Sequence, residues 1–273
     1  MIYEKRFKLN RENYHSLESN VRYWSASLVK EFLSCESRAM AILSGEYERP
    51  QTEALMVGSY VDAAFESESA FKRFRSEHET ELFRKDGKLR AEYVKADEMI
   101  KRAKSDPTFV RFMQGRHQAI MTATLFGVTF KAKFDVLRDS YKVDDKRIVD
   151  LKTVRDFKPV YKEGEGRLDF ASAWNWPLQM AVYQMIYEKR KGQKLPTYLA
   201  CITKEDPPDI AVVRIPQEQL DAEIDFLAEK MERFKAVRAG IVEPERCENC
   251  AWCRMSKKLT GSIDLDNFGI DDI

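Results

Sequence analysis

The feature that most constrains the fold of this chain is a change in the period of its hydrophobic pattern after residue 118. Before that point apolar residues recur at helical spacing, as in residues 55–66 and 92–104. After it, residues 119–125, 128–137 and 148–153 are β-prone runs separated by short turn-like segments. The sequence therefore predicts a helical N-terminal third followed by an antiparallel meander of three strands.

The second half of the chain completes a mixed pattern. Its further elements are predicted as a helix at 177–190, strands at 198–203 and 210–215, and a helix from Pro216 to Gly240. Residues 154–171 are polar and contain Gly164 and Gly166, so they predict a mobile loop. The order of elements predicts an α/β (α+β) fold in which helices flank one five-stranded mixed sheet.

Length and charge exclude several classes of protein. A chain of 273 residues fits one large domain. Its 46 Lys and Arg against 45 Asp and Glu exclude a globally basic nucleic-acid coat protein, although not a local basic groove. No apolar stretch approaches the ~20 residues that span a bilayer, and the first six residues lack the apolar core of a signal peptide. We therefore expect a cytoplasmic protein with reduced thiols.

Two carboxylates and a lysine are predicted to converge in the meander. Alternation in residues 128–137 places Asp135 on the side opposite the apolar face, which is expected to hold Phe130, Ala132, Phe134 and Val136. In the next strand, Val149 and Leu151 are expected to face the core, with Asp150 and Lys152 on the opposite face. Adjacent carboxylates repel unless a cation lies between them, and oxygen ligands suit Mg²⁺ or Mn²⁺. Such an ion can activate a water molecule and neutralise charge on a phosphate.

A purely structural alternative stays open for this group. Asp135, Asp150 and Lys152 can be solvent-facing residues of an amphipathic sheet, because D-x-K is a common tripeptide. The context favours a function, since the D-x-K ends an apolar strand, an aspartate ends the strand before it, and a polar segment follows.

These residues, together with Gln179-Met180-Ala181-Val182-Tyr183, resemble the PD-(D/E)xK nuclease superfamily in its RecB-like and RecE-like branch. The Q-x-x-x-Y helix after the D-x-K strand marks that branch. The branch also has an upstream G-x-x-x-H helix, which Gly58 to Asp62 matches in spacing but with aspartate in place of histidine. The chain looks closest to phage-associated exonucleases of the exonuclease VIII type.

The resemblance implies a role for each matching residue. Asp62, Asp135 and Asp150 would hold Mg²⁺ or Mn²⁺ with the Leu151 carbonyl, and Glu66 is the reserve ligand. Lys152 would assist the attacking water. Gln179 and Tyr183 would order the lysine region or touch the DNA backbone, and the structural alternative for both is packing on the helix surface.

The resemblance also implies the organisation of the chain. It predicts a single nuclease domain with a restriction-endonuclease-like core at about 55–215. The N-terminal helices (1–54) and the C-terminal helix with its cysteine motif (216–262) are expected to pack together.

A cysteine cluster near the C-terminus predicts a second metal site. Cys247, Cys250 and Cys253 form C-x-x-C-x-x-C, a frequent iron–sulfur arrangement, and Cys35 is the candidate fourth ligand. Some RecB-like nucleases, including the AddB type, place one cysteine before the core and three after it to hold a [4Fe-4S] cluster. Zinc is the rival, unliganded thiols are the third alternative, and Cys201 is expected in the core.

Basic and aromatic residues near the proposed site predict DNA binding. The basic residues are Lys131, Lys133, Lys146, Arg147, Lys152, Arg155, Lys158, Lys162 and the run Lys189-Arg190-Lys191, and the aromatic residues are Phe157, Tyr161, Trp174 and Trp176. The alternative is ordinary surface lysines and helix-anchoring tryptophans. The expected substrate is linear duplex DNA or single-stranded ends, and candidate partners are a single-strand annealing protein and further copies of this chain.

The combined interpretation is a metal-dependent deoxyribonuclease, most specifically an exonuclease of phage-type recombination. The alternatives within nucleases are an endonuclease and a helicase-associated nuclease module. From another class, the same fold can serve as a catalytically silent DNA-binding or assembly subunit. A silent relative would usually lose a metal carboxylate or the lysine, and Asp135, Asp150 and Lys152 are all present here.

Overall fold

The computed structural model of the protein describes residues 7–259 and 261–262. The helices before the sheet are α1 (Leu17–Arg22), α2 (Ala26–Ser34), α3 (Glu36–Ser44), α4 (Glu53–Glu66), α5 (Glu68–Glu77), α6 (Glu79–Leu82), α7 (Ala91–Lys104) and α8 (Pro107–Phe112). The strands are β1 (Arg116–Leu125), β2 (Val128–Arg138), β3 (Arg147–Val154), β4 (Val160–Lys162), β5 (Gly166–Leu168), β6 (Thr197–Thr203) and β7 (Ile210–Arg214). The later helices are α9 (Trp176–Lys191), α10 (Gln217–Arg238) and α11 (Ala251–Met255), and a short 3₁₀ helix (Ser172–Trp174) precedes α9.

Side-chain caps mark the starts of α2 and α4, two of the helices that contribute to the site. Ser25 begins α2 and its hydroxyl accepts a hydrogen bond from the backbone N–H of Leu28 at 3.2 Å. Thr52 begins α4 in the same way, with the N–H of Leu55 at 3.3 Å. Such caps satisfy N–H groups that have no partner within the helix. The helices predicted at 55–66 and 92–104 are present with slightly different ends, whereas α5, α6 and α8 were not predicted.

The five long strands form one mixed sheet in the order β1-β2-β3-β6-β7. Neighbouring strands run antiparallel except for β3 and β6, which are parallel. Parallel neighbours need a long crossover connection, and here that connection contains α9. The predicted mixed five-stranded sheet flanked by helices is thus confirmed.

Both faces of the sheet are buried. On one face, α2, α3, α9 and α10 pack against the sheet through a core that includes Phe32, Phe134, Met180 and Phe234; we call this the first core. On the other face, α4, α7 and α8 pack through a second core that includes Tyr60, Met99, Val149 and Ile202. Because β3 is covered on both sides, its residues are buried whichever way they point, apart from the half-buried Lys152 and Thr153.

The prediction that Val136 shares a face with Phe130, Ala132 and Phe134 was wrong. Those three residues pack in the first core, whereas Val136 packs in the second. The alternation shifts at Asp135, where the β1–β2 ladder lacks a pair and the facing residue Gln118 has a positive φ of 53°. Local irregularities of this kind redirect side chains and are frequent beside active sites.

Residues 154–171, predicted to be a mobile loop, contain a small hairpin. Strands β4 and β5 pair with each other in a separate two-stranded sheet, and Gly164 and Gly166 adopt the positive φ values that the turn requires. Asp169 then accepts hydrogen bonds from the N–H groups of Ala171 and Ser172 at 2.8 and 2.9 Å. The polar composition concealed this structure because both strands are only three residues long.

The N-terminal helices contact the C-terminal end of the described chain. The Glu36 carboxylate at the start of α3 accepts hydrogen bonds from Arg233 Nε at 2.7 Å and from the N–H of Glu245 at 2.8 Å. The indole N–H of Trp252 donates to the hydroxyl of Ser37 at 3.0 Å. None of the helices described combines the length and the apolarity needed to cross a membrane.

Candidate functional site: a carboxylate–lysine cavity and a four-cysteine set

The candidate site lies where β2 and β3 separate. The two strands pair only from Val136–Val149 to Arg138–Arg147, and beyond Val136 they diverge. Where the backbone pairing of β2 with β3 ends, a side chain takes the place of a backbone acceptor. The N–H of Leu151 donates a hydrogen bond to Oδ2 of Asp135 at 3.0 Å. The divergence thus leaves the side chains of Asp135 and Asp150 at a shared opening.

Helix α4 closes this opening from the second-core side. Its residues Val57 and Tyr60 are buried in the core, whereas Ser59 and Asp62 face a cavity of about 390 Å³. Every residue of the predicted catalytic and metal-binding set lines that cavity, namely Asp62, Asp135, Asp150, Leu151, Lys152, Gln179 and Tyr183. The structure therefore brings together side chains from α4, β2, β3 and α9.

Asp150 and Lys152 form a close ion pair at the base of the cavity. Lys152 Nζ lies 2.5 Å from Asp150 Oδ2, and the Asp150 side chain is only 2% exposed. Lys152 is the one partner of this oxygen among the described residues. A buried carboxylate oxygen that faces a cavity is a suitable ligand for a hard cation.

Gln179 holds the other oxygen of Asp150. Its Nε2 donates to Asp150 Oδ1 at 2.8 Å and lies 3.3 Å from the hydroxyl of Tyr183, one turn further along α9. Lys30 Nζ, from α2, donates to Gln179 Oε1 at 3.1 Å. Gln179 is 8% exposed. Packing on the helix surface, the structural alternative for Gln179, therefore does not describe it.

The charges in the cavity shift one another's protonation. Burial, and then the charge of Asp150, raise the pKa of Asp62 to about 7, although Lys152 opposes this shift. Burial and the charges of Asp150 and Asp62 raise the pKa of Asp135 well above its usual value. Burial alone would lower the pKa of Lys152, but the charges of Asp150 and Asp135 outweigh it and the pKa is raised. The cavity thus gathers carboxylates whose negative charges repel one another.

These features fit a divalent cation bound by oxygen atoms. Five carboxylates line the cavity, from Asp62, Glu66, Glu77, Asp135 and Asp150, against the cationic groups of Arg73, Lys133 and Lys152. Among the described residues, the cysteine set is the one group of three or more metal-ligand atoms that all lie within 4.8 Å of one another. The oxygens of Asp62, Asp135 and Asp150 are therefore spread more widely than that around the cavity. Carboxylate and carbonyl oxygens are the ligands that Mg²⁺ and Mn²⁺ prefer.

Glu66, the reserve ligand, also lines the cavity but has a partner of its own. Its Oε1 accepts a hydrogen bond from Arg11 Nη1 at 2.7 Å. Asp62 has no such competing cation bound to it among the described contacts, so it is the better placed of the two α4 carboxylates to hold an ion.

Two of the basic residues expected around the site serve the fold instead. Lys131 is 1% exposed and its Nζ donates to the Tyr14 carbonyl at 2.6 Å and to the Ser19 hydroxyl at 2.7 Å. Arg147, at the far end of β3, pairs with Asp145 at 2.8 Å. The expectation that both residues are free to contact DNA was wrong, because each is buried with its own acceptors.

A second cavity of about 570 Å³ adjoins the first. The two share Ser59, Asp62, Leu151 and Lys152 as lining residues. Of the four aromatic residues predicted to stack on bases, Trp174 and Trp176 line this cavity, whereas Phe157 and Tyr161 do not. Phe157 instead packs edge-on against Phe170, with ring centroids 5.2 Å apart.

Four cysteines converge at the junction between the N-terminal helices and the C-terminal end. The sulfurs of Cys35, Cys247, Cys250 and Cys253 all lie within 4.8 Å of one another. Cys35 Sγ lies 3.5 Å from Cys253 Sγ, which lies 4.0 Å from Cys247 Sγ. The predicted fourth ligand, Cys35, is thus beside the other three. Cys201 is buried in β6 and stands apart from this set, as expected.

Backbone N–H groups point at three of the four sulfurs. The N–H groups of Arg38, Cys250 and Cys253 lie 3.4, 3.3 and 3.4 Å from the sulfurs of Cys35, Cys247 and Cys250. Burial would raise the pKa of Cys247, but such N–H groups outweigh it and lower the pKa to about 7. Burial raises the pKa of Cys253 to about 12. N–H donors that favour thiolates are typical of metal-binding cysteines.

Sequence reasoning did not find Lys30 or Gln118. Lys30 lies between the buried residues Val29 and Glu31 of α2, and it reaches Gln179 across 149 positions of sequence. Gln118 Nε2 lies 3.3 Å from Asp135 Oδ1. The one local signal for Lys30 is that a lysine interrupts the buried side of an amphipathic helix. That signal does not reveal that Gln179 is its hydrogen-bond partner.

The chain is similar to known proteins over a range that includes both the cavity and the cysteine set. Residues 25–256 match a family model described as a PDDEXK-like domain of unknown function (DUF3799). A crystal structure from Eubacterium rectale, named "Putative exonuclease", shares 35% sequence identity and a TM-score of 0.89, covering 97% of this chain and 100% of that one. No curated protein sequence matches this chain. The family match spans every residue described above from Lys30 to Cys253.

Proposed function

Because this chain belongs to the family of the PDDEXK-like domain DUF3799, we propose that it is a divalent-metal-dependent deoxyribonuclease, and specifically an exonuclease acting on linear DNA. The resemblance to the PD-(D/E)xK superfamily is confirmed by this match, and the Eubacterium rectale protein named "Putative exonuclease" shares the fold at 35% identity. The observation that carries the proposal is the convergence of Asp62, Asp135, Asp150 and Lys152 on one cavity.

The side chains of the cavity have distinct parts in the proposed reaction. A Mg²⁺ or Mn²⁺ ion, held by Asp62, Asp135, Asp150 and the Leu151 carbonyl, would supply an acidified water and neutralise charge on the scissile phosphate. Lys152 Nζ would orient the water and stabilise the negative charge that develops on phosphate oxygen. Gln179 fixes Asp150 by its hydrogen bond to Oδ1, which leaves Oδ2 directed at Lys152 and the cavity.

The proposed exonuclease activity can be tested on matched DNA forms. With Mg²⁺, the purified chain is expected to degrade a linear duplex or a linear single strand and to leave the covalently closed circular form of the same DNA intact. Chelation with EDTA should stop degradation, because the carboxylates then lack their ion. The measurement is release of acid-soluble nucleotide over time, with Mn²⁺ as a second metal.

Each contrary result favours a different alternative. Cleavage of the closed circle would favour an endonuclease. Binding of DNA without cleavage under any of these metal conditions would favour the catalytically silent subunit. Lys152→Ala protein serves as the control for a contaminating nuclease, since activity that persists unchanged in this variant does not come from the cavity.

We further propose that the four cysteines hold one zinc ion. Four sulfurs about 2.3 Å from a single ion stand about 3.8 Å apart at the corners of a tetrahedron. The separations of 3.5 and 4.0 Å lie on either side of that value. In a [4Fe-4S] cluster each thiolate binds a different iron, so the sulfurs must stand farther apart. The compact set supports a single tetrahedral ion in preference to the cluster that the resemblance implies.

Lys30 is proposed to act through Gln179. Replacing it by methionine, which keeps the length of the side chain, removes the donor that fixes the Gln179 amide. A hydrogen bond from a charged donor contributes about 1.5–3 kcal/mol, so kcat should fall about 10- to 150-fold. KM for DNA should change much less, because the lost contact orients Asp150 and leaves the substrate-binding surface intact. Steady-state kinetics of Lys30→Met on a linear duplex give both values.

A double variant separates this positioning role from a direct one. If Lys30 acts through Gln179, adding Lys30→Met to Gln179→Met should cost little further activity. Lys72→Met, an exposed lysine on α5 whose partner is Glu68, is the matched control and should retain wild-type kcat. Fully additive losses in the double variant would contradict the proposed chain of contacts.

A further inference from the structure

We propose that the 570 Å³ cavity beside the carboxylates binds a single DNA strand and that Trp174 stacks on one of its bases. The strand would then reach Lys152 unpaired. This inference rests on the proposed nuclease function and specifies its substrate as a single-stranded end. We call the cavity the strand groove, defined by Trp174, Trp176, Phe170, Arg155, Lys204 and the shared residues at the site.

The strand groove is continuous with the proposed catalytic cavity. Both are lined by Ser59 and Asp62 of α4 and by Leu151 and Lys152 of β3. A strand lying in the groove therefore contacts Lys152, which is paired with Asp150. This shared lining makes the groove a path to the proposed reaction site.

Trp174 is exposed although its backbone is fixed. Its side chain is 58% exposed and belongs to neither of the two cores. It ends the 3₁₀ helix, whose start is held by the hydrogen bonds of Asp169 and whose neighbours Ala171 and Ala173 are buried. Leaving a tryptophan in water forgoes a large gain from burial. A rigidly presented aromatic face at the rim of a site is therefore suited to a planar ligand.

Trp176 forms the inner wall of the same groove. Its ring packs edge-on against Phe170, with centroids 6.2 Å apart, and it is partly buried against the first core. Lys152 Nζ lies 5.6 Å from the centre of the Trp176 ring. Trp176 thus supports the catalytic lysine, which leaves Trp174 as the groove's tryptophan with a free face.

The charges of the groove complement a phosphate backbone. Arg155, Lys204 and Lys152 line it, against Asp156 and the shared Asp62 as its acidic residues. Arg155 is 82% exposed, and its one ion pair is to the neighbouring Asp156. Basic side chains that follow the backbone, combined with aromatic faces for the bases, are the arrangement that binds single strands without regard to sequence.

The size of the groove fits one strand better than a duplex. A volume of about 570 Å³ is in the range of pockets that hold one small molecule. A single strand places one backbone and its unpaired bases in such a groove, whereas a duplex brings two backbones and a stack of base pairs. The proposed occupant is therefore one strand, supplied by a single-stranded substrate or by an opened duplex end.

Binding measurements on a cleavage-deficient protein test this proposal. Asp150→Asn protein, with and without Trp174→Ala, is titrated into a fluorescein-labelled oligothymidylate and, separately, into a blunt duplex of equal length. Trp174→Ala should weaken binding of the single strand about 5- to 150-fold, the range for loss of one base–aromatic stack. Its effect on the duplex should be at most about twofold.

Tyr141→Ala is the matched control. Tyr141 is an aromatic residue in the connection between β2 and β3, is 86% exposed and does not line the groove. Its removal should leave single-strand affinity within about twofold. Equal affinity of the single strand for proteins with and without Trp174, or an equal loss for single strand and duplex, would overturn the proposal. Thermal melting should be unaffected by Trp174→Ala because the side chain belongs to neither core.

The two proposals fail in distinguishable ways. Cleavage of linear DNA by the wild-type chain, combined with no role for Trp174 in binding, would leave the nuclease standing and remove the groove. Trp174-dependent binding of oligothymidylate by a chain that cleaves no DNA would leave the groove standing and remove the nuclease.

Discussion

Replacing Asp150 by asparagine is expected to lower kcat/KM for linear DNA by about 1,000-fold or more. The variant removes the negative charge from the most buried carboxylate of the cavity while keeping its shape. Charge stabilisation by a bound metal ion contributes several kcal/mol to catalysis, and each 1.36 kcal/mol corresponds to a factor of ten in rate. The measurement is nucleotide release from a linear duplex at saturating Mg²⁺.

The same variant should remain folded. An asparagine can still accept the hydrogen bond from Gln179 at the Oδ1 position, and losing one of several mutually repelling carboxylates removes a source of strain. Residues arranged for function are often suboptimal for stability. Asp225→Asn, an exposed position on α10, is the matched control and should retain full activity. An Asp150→Asn protein with more than about a tenth of wild-type activity would contradict the proposed site.

Replacing Cys250 by alanine is expected to remove the metal ion and destabilise the whole chain. The purified wild-type protein should contain one zinc per chain and no acid-labile sulfide, as measured by elemental analysis and a sulfide assay. Loss of a structural metal is among the few mechanisms that cost about 4 kcal/mol or more. In a chain of this size that loss lowers the melting temperature by about 10 °C.

Cys201→Ala separates a metal effect from the loss of a buried thiol. Cys201 is fully buried in β6 but lies outside the four-cysteine set, so this variant should keep its zinc and lose only about 1 kcal/mol from a small cavity. Iron with an equal amount of labile sulfide would establish the [4Fe-4S] alternative. Metal-free wild-type protein with unchanged stability in Cys250→Ala would establish that the thiols bind nothing.

The local pattern of the sequence was sufficient to predict much of the sheet and the candidate residues. Asp150 and Lys152 follow from alternation in a short strand, whereas Gln179 and Tyr183 follow from the Q-x-x-x-Y pattern of the nuclease family that the chain resembles. Spacing of this kind fixes relative direction within one element. It was therefore reliable wherever the backbone was regular.

The failures have a common physical cause, which is interaction between distant segments. Val136 faces the second core because the ladder is interrupted opposite Gln118, and nothing within β2 signals that interruption. Lys131 is buried because residues of the N-terminal segment satisfy its ammonium group. The contact between Lys30 and Gln179 likewise joins two helices that are 149 positions apart in the sequence. Tertiary context decides such cases.

The position of Cys35 has a consequence for how the protein is made. Cys35 ends α2 and begins α3, yet its sulfur partner Cys253 follows it by 218 residues. Contacts of such separation close only after nearly all of the intervening chain has left the ribosome. The Cys35 end of helix α2, which carries Lys30 to Gln179, is therefore fixed only after Cys253 has been synthesised. If the chain is the proposed nuclease, a nascent chain should gain full activity only after its cysteine set is complete.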